Sequence, residues 1–146
     1  MTIDDARLLL AQRELDEAAR EAAAADLLAG GGFFRQEVIH AYFAAFHVAQ
    51  ALLAAHGFEA ATHEGVQRLL GPHFVLPGEL SKDAGRALSA LLARRHEADY
   101  RLLLVDVDRT TWDAARGEAV TFIAAAQEYL KKAWPALKVR VDALGR

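Results

Sequence analysis

Apolar residues return every three or four positions through most of this chain, the period of an α-helix with one buried face. Leu8, Ala11, Leu15, Ala18, Ala22, Ala25 and Ala29 make the first such stripe, behind Thr2 and Asp5 in capping-box register. Asp4, Arg7, Glu14, Glu17, Arg20 and Glu21 fall on the opposite, outer face, and the run Gly30 to Gly32 ends the helix. The same period predicts a second helix from Phe33 to His56, antiparallel to the first. Val38, Tyr42, Ala45 or Phe46, Ala49, Leu52 and Leu53 face inward, and Gly57 stands in the C-cap position.

A short helix is predicted from Glu64 to Leu70, stopped by Gly71 and Pro72, with Pro77-Gly78 as a further turn. Ser81 caps a fourth helix whose inner stripe reads Ala84, Leu88, Leu91, Arg95, Ala98 and Leu102, so one member is charged. Thr110 and Asp113 open a fifth helix. Its inner stripe is Trp112, Ala115, Ala119, Phe122, Ala126, Tyr129 or Leu130, and Ala133, and Pro135 closes it. The tail from Ala136 to Arg146 alternates apolar residues at Leu137, Val139 and Val141, and the pattern assigns it to no element. The expected fold is all-α: an up-and-down bundle of four long helices plus a short one, in a single domain over residues 1–146.

Composition narrows the function. No cysteine is present, which removes disulfides, thiolate metal sites and a cysteine nucleophile. No purely apolar run approaches the ~20 residues that cross a bilayer, and no charged-then-apolar leader opens the chain, so a cytoplasmic protein is expected. A net charge of -3 gives no global basic footprint, so any contact with RNA must be local. Cofactor motifs such as GxGxxG, a P-loop, HExxH and a serine elbow are absent, and neither cofactor nor metal is expected.

Ionisable side chains interrupt the apolar stripe at Arg94-Arg95-His96-Glu97-Ala98-Asp99-Tyr100. Helical spacing pairs Arg95 with Asp99 and His96 with Tyr100 at i,i+4, and His96 with Asp99 at i,i+3. Two readings stand. One is a structural ion pair near a helix end. The other is a phosphate-binding groove in which Arg94 and Arg95 carry charge and His96, oriented by Asp99, moves a proton. A second set, His40, Tyr42, Phe43, Phe46 and His47, lies on the second helix; the two histidines are ~10 Å apart along the axis, too far to share one metal. These residues read as ligand contacts or as core aromatics with satisfied histidines. His63, in the turn Thr62-His63-Glu64-Gly65, is a third candidate, either for a ligand or for capping.

These segments together resemble a prokaryotic subfamily of HEPN domains. That subfamily carries an aromatic pair and Ala-x-Phe-His in its second helix, a Thr-His-x-Gly-Val turn, and Arg-x-x-Ala-Asp-Tyr ending a later helix. Here these fall on Tyr42, Phe43, Phe46 and His47, on Thr62, His63, Gly65 and Val66, and on Arg95, Ala98, Asp99 and Tyr100. The resemblance covers roughly three quarters of the chain. It implies a homodimeric bundle of a toxin-antitoxin type, partnered by a small nucleotidyltransferase, that cleaves RNA without metal or binds RNA or a nucleotide.

Active toxins of that kind place a histidine four to six residues beyond an arginine. After Arg94 and Arg95 none stands there: His96 comes too early. Arg35 to His40 and Arg68 to His73 meet the bare spacing, but about 1.6 such matches are expected by chance. His40 also stands where the subfamily has arginine, and Phe43 replaces a tyrosine. The site is therefore expected at Arg95, His96, Asp99 and Tyr100, with Arg94, His47, Tyr42, His40 and His63 as ligand contacts and Tyr100 also a candidate for nucleotide modification. The other reading is a noncatalytic helical module that dimerises and binds a partner transferase.

Overall fold

The computed structural model describes residues 2–100, 107–139, 141 and 144. Helix α1, Ile3–Ala29, starts where Thr2 Oγ1 accepts the Asp5 N–H while the Asp5 carboxylate accepts the Thr2 N–H, each at 3.0 Å, so two otherwise unpaired donors are satisfied. Helix α2, Phe34–Ala55, follows the glycine turn and ends one residue before His56. Gly57, at φ +79°, then turns the chain in a conformation that side-chain-bearing residues avoid.

Alanine sets how closely these two helices approach. Ala11, Ala18, Ala22 and Ala25 on α1 and Ala41, Ala44, Ala45, Ala49 and Ala51 on α2 are fully buried. Small side chains on both sides bring the backbones together, and α1 with α2 forms the most extensive seam of the bundle. Ala29, expected in this stripe, is exposed, because α1 frays there into the glycine turn.

Helix α3, His63–Leu70, is capped by Thr62, whose hydroxyl accepts the Gly65 N–H at 2.9 Å. The α-helix stops at Leu70, before Gly71 and Pro72, as expected, but the chain does not leave helical geometry there. The chain widens instead into one π-helical turn, Gly71–Val75, with Leu76 N–H reaching Gly71 O at 2.8 Å. Pro72 has no N–H to give to the carbonyl four residues back, which is what opens the turn.

Helix α4, Lys82–Tyr100, has Ser81 as its cap, the Ala84 N–H donating to Ser81 Oγ at 3.1 Å. Leu102 of the expected stripe lies outside the described residues. Helix α5, Arg109–Ala133, begins earlier than Thr110: Asp108 is its cap, accepting the Thr111 N–H at 3.0 Å. Ala133 faces solvent rather than the core, while Leu130 in the same last turn is buried. Leu130 is the buried member of the Tyr129/Leu130 pair.

The described elements are all helical and pack as an up-and-down bundle in which α2 is the central helix, covered by α1, α4 and α5. By length and composition α2 could cross a membrane, but most of it is buried inside the bundle, as a core helix must be. Val38, Tyr42, Leu52 and Leu53 of α2 meet Leu91 of α4 and Phe122 and Leu130 of α5 in one core. The tail left unassigned by the pattern is not helical up to Val139. It is strapped to the bundle by side-chain amides, and Leu137, Val141 and Leu144 are buried.

Candidate functional site

Antiparallel packing of α4 on α2 sets Arg95 against the aromatic face of α2, at the point where the helical period of α4 would demand an apolar residue. The guanidinium lies 5.3 Å from the centre of the Phe43 ring, 5.8 Å from Tyr42 and 5.9 Å from Tyr100. Three rings at this range hold a cation through their electron-rich faces. Arg95 Nε is also 2.7 Å from Asp99 Oδ2, the i,i+4 ion pair expected, but the N–H is not aimed at that oxygen in hydrogen-bond geometry. Only 13% of the Arg95 side chain is exposed, and its Nε is buried.

His63, from the N-terminus of α3, enters the same cluster. Its ring sits 4.5 Å from Phe46, and its Nδ1 is 2.7 Å from the hydroxyl of buried Tyr42. Burial, reinforced by the nearby Arg95 charge, holds the His63 imidazole below its ordinary pKa; burial also pushes the Tyr42 phenol up, against the pull of Arg95. His47 lies one turn beyond Phe43, with its ring 5.5 Å from Phe46 and 6.4 Å from Phe43. Its Nδ1 bonds Glu14 Oε2 on α1 at 2.7 Å. His96 and Tyr100, the second i,i+4 pair expected, approach at 5.7 Å between rings, and Tyr100 is 70% exposed.

Thus Arg95, Tyr42, His47, His63, His96, Asp99 and Tyr100 are gathered in one cluster where α2, α3 and α4 meet. Two expected members are elsewhere. Arg94 points to the other side of α4, where its Nε–H donates to Glu118 on α5 at 2.7 Å. A one-residue step turns a helix by ~100°, and here that step carries Arg94 from the α2 side of α4 to its α5 side. His40 lies two turns from His47 and bonds Glu21 on α1 at 2.6 Å. The expected orientation of His96 by Asp99 is not formed either: Asp99 is taken by Arg95, and the carboxylate nearest His96 is Glu64, 3.8 Å from its Nε2.

Glu14 and Glu21, which the pattern puts on the outer face of α1, instead flank the α1–α2 seam as histidine partners. A signal for this exists in the sequence. Glu14 and Glu21 are spaced as His40 and His47 are, and two antiparallel helices with equal spacing bring 14 to 47 and 21 to 40 together. Arg35 was also missed; its guanidinium donates to the Ala98 carbonyl and ties the start of α2 to the end of α4.

The helical bundle thus sets an arginine caged by aromatic rings beside the imidazoles of His47, His63 and His96. Residues 11–134 match the model of the HEPN domain, and the chain belongs to that family. A protein of Methanocaldococcus jannaschii named "Putative toxin" is 30% identical over 127 residues, covering 87% of this chain and 88% of its own. A UPF0332 protein of Pyrococcus horikoshii is 29% identical over 119 residues, 82% of this chain and 80% of its own. A UPF0332 protein of Thermotoga maritima is 26% identical over 129 residues, 88% of this chain and 83% of its own.

Proposed function

We propose that this HEPN-family protein acts on RNA, binding a strand or a nucleotide at the Arg95 cleft, as the toxin-side member of a toxin-antitoxin pair with a nucleotidyltransferase partner. The observation that carries the reading is the cage around Arg95. A guanidinium fixed among Tyr42, Phe43 and Tyr100 is held in place to meet a phosphate, and exposed Tyr100 offers a flat surface to an unstacked base. The toxin name of the archaeal relative supports the biological setting. The protein works as a homodimer in this reading, with two clefts contributing to one RNA site.

One observation favours a second reading. Asp99 already neutralises Arg95 at 2.7 Å, as a module that only pairs with a partner chain would have it. Arg95→Ala separates the two. In the RNA reading the variant keeps its dimer by size-exclusion chromatography and loses RNA binding, by about tenfold or more, together with growth arrest on expression. In the module reading it loses the dimer or its fold, and wild-type protein binds no RNA. Arg95→Ala that retains full RNA affinity removes this site from the account.

A further inference from the structure

We propose that His47, oriented by Glu14, is the group that accepts a proton from an RNA 2'-hydroxyl in this cleft, and that His63, oriented by Tyr42, is a fixed hydrogen-bond donor to the phosphate. The inference rests on the RNA reading above and assigns roles the sequence placed on His96.

The partners of the two Nδ1 atoms decide the roles. A carboxylate only accepts, so His47 Nδ1–H must donate to Glu14, and in the neutral ring Nε2 is left with its lone pair. That Nε2 has no hydrogen-bond partner among the described residues, and 23% of the side chain is exposed. This is the arrangement in which a carboxylate sets the tautomer of a proton-accepting imidazole. His63 is the opposite case. The Tyr42 hydroxyl is buried, and its one partner among the described residues is His63 Nδ1 at 2.7 Å. Turned elsewhere, its O–H would be buried without an acceptor, so it donates to Nδ1 and the ring proton sits on Nε2. Burial and the Arg95 charge keep a second proton off this ring near neutral pH.

Both rings lie against Phe46 and Phe43, His47 at 5.5 and 6.4 Å and His63 at 4.5 and 6.0 Å, so one apolar wall presents an acceptor and a donor beside the Arg95 cation. His96 has neither kind of orientation: Glu64 is 3.8 Å away, beyond hydrogen-bond reach.

The step this supports is transesterification. The 2'-hydroxyl proton passes to His47 Nε2, the 2'-oxygen bonds to phosphorus, and the bond from phosphorus to the 5'-oxygen breaks. The 5'-oxygen takes a proton from water, and the resulting hydroxide takes the proton from His47. A 2',3'-cyclic phosphate and a 5'-hydroxyl result, while His63 Nε2–H and Arg95 meet the charge on the non-bridging oxygens.

The test is cleavage of a labelled oligoribonucleotide in EDTA by the full chain and by His47→Gln, Glu14→Gln and His40→Gln, with binding measured alongside. His47→Gln is expected to bind RNA and to cleave about 100-fold more slowly or worse. Glu14→Gln, which keeps the size of the side chain but not the carboxylate that fixes the tautomer, binds RNA and cleaves about tenfold more slowly or worse, and His40→Gln, which removes the matching histidine–glutamate pair outside the cleft, stays close to wild type. Long-range proton–nitrogen NMR of the wild type at alkaline pH reads the tautomers without reference to activity or to any variant's folding: Nδ1–H on His47 and Nε2–H on His63. Either opposite tautomer, cleavage intact in His47→Gln, or cleavage intact in Glu14→Gln overturns the assignment. Wild type that binds RNA without cutting it overturns the assignment alone, and wild type that binds no RNA overturns the function with it.

Discussion

Arg94 and Arg95 are consecutive in the chain yet serve different helices. Arg94 donates to Glu118 of α5 at 2.7 Å, and Arg95 lies among the rings of α2 with Asp99 at 2.7 Å. The Glu118 bond raises the Arg94 pKa and outweighs its burial, so that pair is a fastening between α4 and α5. Arg94→Ala is expected to lower stability by about 1–2 kcal/mol, since both groups are partly solvated, and to leave RNA affinity within about twofold. Chemical denaturation beside an RNA titration checks this. A large loss of affinity in folded Arg94→Ala would return Arg94 to the cleft.

Glu37 is fully buried on α2, and neither carboxylate oxygen has a hydrogen-bond partner among the described residues. Burial first, then the negative charge of Asp26, raise its pKa from 4.5 to about 7, with Asp113 adding to the rise and Arg109 opposing it. A folded-state pKa above the unfolded one means that the protonated form is favoured by folding. The stability this contributes is fully present below about pH 4.5 and is lost as pH rises through about 7. Wild-type melting temperature should therefore fall by about 5 °C from this group between those limits, and Glu37→Gln, which cannot ionise, should flatten that part of the profile. Parallel profiles for the two proteins would show that Glu37 is not the group responsible.

The helices were legible because their signals are local. Thr2 with Asp5, Ser81 with Ala84 and Gly57 at positive φ all act within four residues, and the three-four period of Leu15, Ala18 and Ala22 needs no partner to be seen. The site was legible only as a list. Local spacing gave Arg95 to Asp99 and His96 to Tyr100, but whether His96 or His47 has an orienting carboxylate depends on α1, some thirty residues away in the chain. Arg94 was misplaced because charge type alone does not say which face of α4 meets α2. The π-turn at Gly71–Val75 was missed because Gly-Pro ends an α-helix and also permits a wider one.

Gly57 marks a further consequence of close packing. Its φ of +79° disfavours any side chain, and a Cβ there would come within 2.6 Å of the Arg7 guanidinium. Arg7 is an exposed, flexible side chain that can move aside, so the backbone conformation sets the cost. Gly57→Ala should destabilise by about 1–2 kcal/mol, and a second substitution, Arg7→Ala, should recover little of it. Full recovery in the double variant would assign the cost to the contact instead.

The C-terminal tail is held by a device that the alternation of Leu137, Val139 and Val141 only hints at. Gln12 of α1 gives its Nε2 to the Lys138 carbonyl at 3.2 Å and accepts the Lys138 N–H at 2.8 Å. Gln127 of α5 treats Val141 the same way, at 3.2 and 2.9 Å. Each carboxamide thus stands in for a neighbouring backbone, satisfying the donor and the acceptor of one non-helical residue of the tail. Asp26 adds a third tie by accepting the Leu144 N–H at 3.0 Å. Gln127→Leu keeps side-chain size but removes both bonds of a partly buried pair, at a cost of about 1–3 kcal/mol. Limited proteolysis should then cut after Lys138 sooner than in wild type, while the melting of the helices changes little. Equal cleavage rates would mean that burial of Leu137, Val141 and Leu144 holds the tail without the glutamine straps.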